Sequence, residues 1–202
     1  MTGLGAFDRK FRSPGGHAVT RAVILIGFMG AGKSSVGRAL AEQLGWTFED
    51  LDERIERQQQ RKVPEIFRES GEAEFRRAEH AALKEVLQEL SSGAERIVAL
   101  GGGAFVQKRN ARLLEASGVP TVFLDAAVEE LWRRCEQQAE QQGMERPLLS
   151  GLKSFRKLYD IRKPHYLKAS FRQETGGKTI ERIAAEVVQA LRLDRGRGRR
   201  GQ

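Results

Sequence analysis

The stretch AVILIGFMGAGKSSVGRALAEQL, residues 22–44, decides the fold. It opens on a β-branched apolar run, passes through Gly27-Phe28-Met29-Gly30-Ala31-Gly32-Lys33-Ser34, and continues as an amphipathic helical sequence. The middle fits G-x-x-x-x-G-K-[ST] in the strand-before, helix-after setting that a phosphate loop requires. Glycines let the loop turn its backbone N–H groups toward phosphates. The helix N-terminus adds partial positive charge, and Lys33 adds a full one. Gly30, Ala31, Gly32, Lys33, Ser34 and Ser35 are the expected nucleotide-binding residues, with the Ser34 hydroxyl on Mg²⁺. The loop implies a nucleoside triphosphate and leaves the second substrate open.

Outward from this loop, short apolar runs alternate with longer amphipathic ones. TFEDLD (47–52) precedes helical sequence to Leu90, RIVAL (96–100) precedes Lys108 to Ala116, and VPTVFLD (119–125) precedes a helix to about Gln142. A weak last strand, Ala169 to Glu174, leads into Thr179 to Leu193. Apolar strands alternating with helices predict an α/β protein: a five-stranded parallel sheet covered on both faces, a three-layer α/β/α sandwich. Ligands in such folds bind beyond the C-terminal ends of the strands.

With 202 residues, the chain suits a single core. Its longest apolar run, Ala22 to Gly32, is half the ~20 residues that cross a bilayer, which excludes a transmembrane protein. The first twenty residues lack the apolar core of a secretory signal, and the one cysteine, Cys135, closes no internal disulfide; a reducing cytoplasm is expected. His17, His80 and His165 are too scattered for a structural zinc site.

Chemistry-bearing residues cluster after the strands. Asp50 and Asp52 lie two apart, so a strand running to its end would turn both carboxylates toward the phosphate loop, one for Mg²⁺ and one for an attacking hydroxyl. The alternative is that they cap the helix that follows. RIVAL runs into Gly101-Gly102-Gly103 without the acidic residue many phosphate-loop enzymes carry there, so the metal needs Asp50. Three glycines either admit a small ligand close to the backbone or form a flexible turn. In GEAEFRRAEHAAL, Phe75, Ala78, Ala82, Leu83 and Val86 mark a buried stripe, and Arg76 and Glu79 are neighbours three apart. That pair is either a solvated surface bridge or a braced guanidinium shaped to grip a carboxylate. Arg146, in GMERPLLSG, sits in a loop suited to close over phosphates, and Arg162 lies just before Pro164, near a helix end.

GFMGAGKSSVGR, DLDERIE, GEAEFRRAE, VALGGGAF, ERPLL and IRKPHY together resemble shikimate kinases, in order and approximate spacing, over residues 21–193. The resemblance implies a nucleoside-monophosphate-kinase-like fold with a mobile lid, and ATP- and Mg²⁺-dependent phosphorylation of the 3-hydroxyl of shikimate in aromatic amino-acid biosynthesis. It implies that Lys33 and Ser34 bind phosphates and Mg²⁺, with Asp50 helping to hold the metal, and that Asp52 contacts the shikimate hydroxyls as catalytic base. Arg76 and Arg162 would bind the substrate carboxylate, Glu79 would orient Arg76, and Gly101, Gly102 and Gly103 would line the pocket. Arg146 would be the lid arginine on the phosphates, and Arg134 would pack against adenine. CEQQAEQQGME (135–145) is longer than in many members, and residues 1–20 and 194–202 have no evident counterpart.

A gluconate kinase shares the phosphate loop, but Arg76 with Glu79, the triple glycine and RPLL argue against it. A non-catalytic sensor would need a DNA-binding domain that twenty residues cannot supply. The net charge of +8 is mostly terminal: residues 1–21 carry +3 and residues 192–202 carry +4, leaving +1 for the rest. Disordered extensions and no specific nucleic-acid partner are therefore expected; no membrane partner and a monomer are expected as well.

Overall fold

A computed structural model describes residues 20–142 and 151–193. Five strands form one parallel sheet in the order β2-β3-β1-β4-β5: β1 (Ala22–Ile26), β2 (Thr47–Asp50), β3 (Arg96–Ala99), β4 (Thr121–Asp125) and β5 (Phe171–Glu174). β1 is central and wholly buried, which explains its unbroken apolar sequence. Its neighbours are in register, Leu25 opposite Ala99 on β3 and Val122 on β4.

The helices are α1 (Lys33–Leu44), α2 (Leu51–Gln59), α3 (Val63–Ser91), α4 (Lys108–Ser117), α5 (Val128–Gln142), α6 (Leu152–Tyr166) and α7 (Ile180–Leu191). α1 buries Val36, Leu40 and Leu44 and packs against α7, which buries Ile183, Ala184 and Val187. α3 packs against α2 and α4, and buries Phe75, Ala82, Leu83 and Val86, the expected stripe, with Ala78 half-buried. Because β1 is followed by β2 on one side and β4 lies on the other, the strand order switches direction beside β1. A crevice opens there at the C-terminal ends. Among the described residues no helix is long and apolar enough to cross a membrane.

Two local expectations need correction. β2 ends at Asp50, not Asp52: the Asp50 side chain accepts a hydrogen bond from the Asp52 N–H at 3.0 Å, and the chain turns helical at Leu51. An orphan helix-start N–H captured by an aspartate outweighs continuation of a short edge strand. The helical sequence to Leu90 is two helices, divided after Gln59, and the second is kinked at Gly71, whose φ of 78° is non-helical. Arg162 lies near a helix end, as expected: α6 continues through Pro164 and finishes at Tyr166, four residues on. Proline removes one N–H donor but sits near the end of α6, where the helix is already finishing. Residues 1–19, 143–150 and 194–202 lie outside the described residues, and with them the expected extensions, the lid and Arg146.

Candidate active site

The phosphate loop joins β1 to α1. Gly30 has φ of 76°, and a Cβ there would lie 2.5 Å from the Leu131 carbonyl oxygen and 2.9 Å from Cys135 Sγ, so the loop packs against α5 too closely for any other residue. Gly32 is the N-cap of α1 and supplies no capping side chain, which leaves the first N–H groups of the helix for an anion. Lys33 Nζ reaches back across the loop and donates to the Gly27 and Phe28 carbonyls, both at 3.1 Å. Burial lowers its pKa, against the opposing pull of Asp52 and Asp50. Ala31 is packed into the core, and Ser35 is exposed.

Ser34 Oγ donates to Asp50 Oδ2 at 2.9 Å. These two oxygen donors, one neutral and one anionic, suit a hard divalent ion that keeps water and phosphate as its other ligands. Among the described residues no group of three or more His, Cys, Asp or Glu gathers for a metal, so an ion here would depend on the nucleotide.

Asp52 lies in the first turn of α2. Its Oδ1 is buried and has no hydrogen-bond partner. Burial, followed by the charges of Asp50 and Glu79 and opposed by Lys33, raises its pKa from 3.8 to about 6. An unsatisfied carboxylate oxygen poised near neutral pH is suited to receive a hydroxyl proton.

The triple glycine is where the site residues meet. A Cβ on Gly101 would lie 2.6 Å from Asp52 Oδ1, and one on Gly103 would lie 2.8 Å from both terminal nitrogens of Arg76. At Gly102 it would be 3.6 Å from both Arg162 Nη1 and the Gly27 carbonyl oxygen. Three consecutive residues thus touch Asp52, Arg162 and Arg76, on a backbone that also borders the phosphate loop. The Gly101 carbonyl accepts from the Ala104 N–H at 3.0 Å and starts a short 3-10 turn, so this is a defined structure and not a loose connection.

Arg76 is largely buried. Its Nη1 donates to Glu79 Oε1 at 2.9 Å, while Nε and Nη2 donate to Glu72 Oε1 at 3.2 Å. Glu79 is 1% exposed, so the pair is not a solvated surface bridge. Arg162, on α6, lies 5.7 Å from the Phe28 ring centre. Arg134, on α5, stands on the other side of the phosphate loop, donating to the Thr175 carbonyl at 3.3 Å and to that of Gly30 at 3.5 Å. Among the described residues it shares no hydrogen bond with Asp52 or Arg76.

Tyr166 was not recognisable as functional from sequence alone. Its hydroxyl donates to the Gly102 carbonyl, and it is fully buried. A signal was present: Arg162 and Tyr166 are four apart, on one helix face. Glu72 carried a similar signal, four before Arg76. Asn110 carried none.

Comparison with known proteins agrees with this geometry. A family model described as shikimate kinase matches residues 29–192. Shikimate kinases from Persephonella marina and Geobacter metallireducens are 36% and 40% identical, each over 85% of this chain and over 99% and 92% of their own. The structure of shikimate kinase from Acinetobacter baumannii in complex with shikimate superposes with a TM-score of 0.75 at 34% identity, over 86% of this chain and 93% of that one. A gluconokinase from Sinorhizobium meliloti, at 18% identity and a TM-score of 0.52, shares the fold alone. The family match spans residues 29–192, a range that holds Lys33, the triple glycine and both arginines beside it, and with relatives of 36–40% identity over most of their length it shows that the chain belongs to the shikimate kinase family.

Proposed function

We propose that this shikimate kinase transfers the γ-phosphoryl group of ATP to the 3-hydroxyl of shikimate, with Mg²⁺, through the residues gathered around Gly101–Gly103. The convergence of Asp52, Arg76 and Arg162 on three consecutive glycines beside Lys33 carries the assignment. Two guanidiniums with a braced orientation fit a carboxylate. A buried acceptor oxygen fits a ring hydroxyl, and bare backbone fits the ring itself.

Arg76 and Arg162 fix the substrate by its carboxylate, which aims its hydroxyls at Asp52. As the 3-oxygen attacks the γ-phosphorus, its proton passes to Asp52, the new O–P bond forms, and the bond to the β-phosphate oxygen breaks to release ADP. Lys33 leaves the loop carbonyls for the phosphates and spreads their charge, assisted by Arg146 from the segment outside the described residues. Ser34 and Asp50 would hold Mg²⁺, which when bound neutralises charge on the β- and γ-phosphate oxygens. Gly30, Ala31, Gly32 and Ser35 complete the phosphate cradle, and Arg134 flanks the base.

The test is ADP release from the purified chain with ATP, Mg²⁺ and shikimate, with gluconate as the competing acceptor. Turnover of shikimate alone is expected. Release with gluconate and none with shikimate refutes the assignment.

A further inference from the structure

Asn110, in the first turn of α4, is 0% exposed. Its amide is nevertheless fully engaged with the site. Nδ2 donates to the Ala104 carbonyl at 3.1 Å and to Glu79 Oε2 at 3.4 Å, and Oδ1 lies 2.8 Å from His80 Nδ1. The orientation is determined by these partners. Reversed, the amide oxygen would face a carboxylate and a carbonyl, two acceptors, so the NH₂ must point there and His80 must carry its proton on Nδ1.

Glu79 divides its two oxygens accordingly: Oε1 takes Arg76 and Oε2 takes Asn110. Burial raises the Glu79 pKa against the opposing pull of Arg76, so each donor on this carboxylate favours the charged form that Arg76 requires. The preceding residue, Arg109, donates to the Arg76 backbone carbonyl. Among the described residues Asn110 is thus the one side chain that bonds both the brace of Arg76 and the turn that continues the triple glycine.

We infer that Asn110 is a positioning residue for carboxylate recognition, acting through Glu79 on Arg76 while anchoring the glycine turn at Ala104. This rests on the function proposed above. The informative variant is Asn110→Asp, which keeps the size and the acceptor toward His80 but replaces the donor with an oxygen facing Glu79. It should lower kcat/KM for shikimate about tenfold, the lower end for losing a hydrogen bond to a charged group, with KM for ATP unchanged.

A role in packing α3 against α4 alone would impair the enzyme whatever Arg76 does, so the deciding measurement is a double-mutant cycle with Arg76→Ala. If Asn110 acts through Arg76, the tenfold loss shrinks to less than twofold in the Arg76→Ala background. An equal loss in both backgrounds, or none in either, overturns the inference. Should Asn110→Asp not fold, Asn110→Ser, which keeps a hydroxyl donor, takes its place in the same cycle. Wild type is assayed alongside: its failure on shikimate would refute the proposed function, whereas normal wild-type turnover with an additive cycle refutes only the role of Asn110.

Discussion

Replacing Asp52 by Asn should make the protein more stable while stopping its chemistry. The carboxylate has a buried oxygen without a partner and a pKa raised from 3.8 to about 6, burial being the largest cause. At neutral pH the folded state therefore holds a charge it disfavours. Two pH units correspond to roughly 3 kcal/mol, an upper figure because the Asn amide must also be accommodated. A gain of about 1–3 kcal/mol at pH 7 translates to roughly 3–10 °C in Tm for a domain of this size.

The pH dependence gives the sign. Below about pH 4 Asp52 is protonated in both folded and unfolded chains, and the variant has no advantage. Between about pH 4 and 6 the folded protein keeps a proton that the unfolded chain has released, so wild-type stability falls as pH rises through this window. Above it the difference is constant. Thermal unfolding of both proteins from pH 4 to 7.5 should show their Tm values diverging across that interval, while coupled ADP release shows turnover lost and nucleotide binding kept. A variant no more stable than wild type at pH 7, or a difference that does not change with pH, would refute the claim that burial of this charge sets its pKa.

Arg76→Ala should raise KM for shikimate with little effect on that for ATP, by about 1.5–3 kcal/mol for a lost charge-assisted bond; steady-state titration of each substrate checks this, and an unchanged shikimate KM removes Arg76 from the pocket. Gly101→Ala places a methyl 2.6 Å from Asp52 Oδ1, so kcat should collapse while ATP affinity, measured by calorimetry, survives; full turnover would mean that Asp52 can move aside. Ser34→Ala removes the 2.9 Å partner of Asp50 and should shift the Mg²⁺ requirement to higher concentration; identical Mg²⁺ titrations would dissociate the pair from the metal.

The phosphate loop was readable because its function is encoded locally, in backbone freedom and a helix start. Asp50 and Asp52 were identified as a pair although the assumed strand geometry was wrong. The N–H of Asp52 bonds the side chain of Asp50, which fixes them beside each other by capping instead of by pleat. Arg76 and Glu79 were visible as helix neighbours, but the choice between surface bridge and substrate clamp depends on burial. Burial of Glu79 comes from contacts such as Asn110, thirty-one residues away. Tyr166 shares a helix face with Arg162, four residues before it, but its reach to a glycine carbonyl sixty-four residues earlier in the chain depends on how α6 packs.

The missing acidic residue after β3 follows from the same geometry. β1 and β3 are neighbouring parallel strands, Leu25 opposite Ala99, so their C-terminal loops emerge side by side. On the proposed function the β1 loop takes the phosphates, and the β3 loop is the wall shared with the second substrate. Any side chain at 101 would enter the space of the Asp52 carboxylate, 2.6 Å from Oδ1 at its first carbon alone. A metal-binding aspartate there would press a second anion onto Asp52, which on the proposed function accepts the hydroxyl proton, and raise its pKa further. One strand further out, Asp50 faces Ser34 instead, reaches the nucleotide side, and leaves the end of β3 bare. On that proposal the carboxylate for the metal and the glycines for the acceptor are two consequences of one constraint: two reacting molecules must meet over the same strand end.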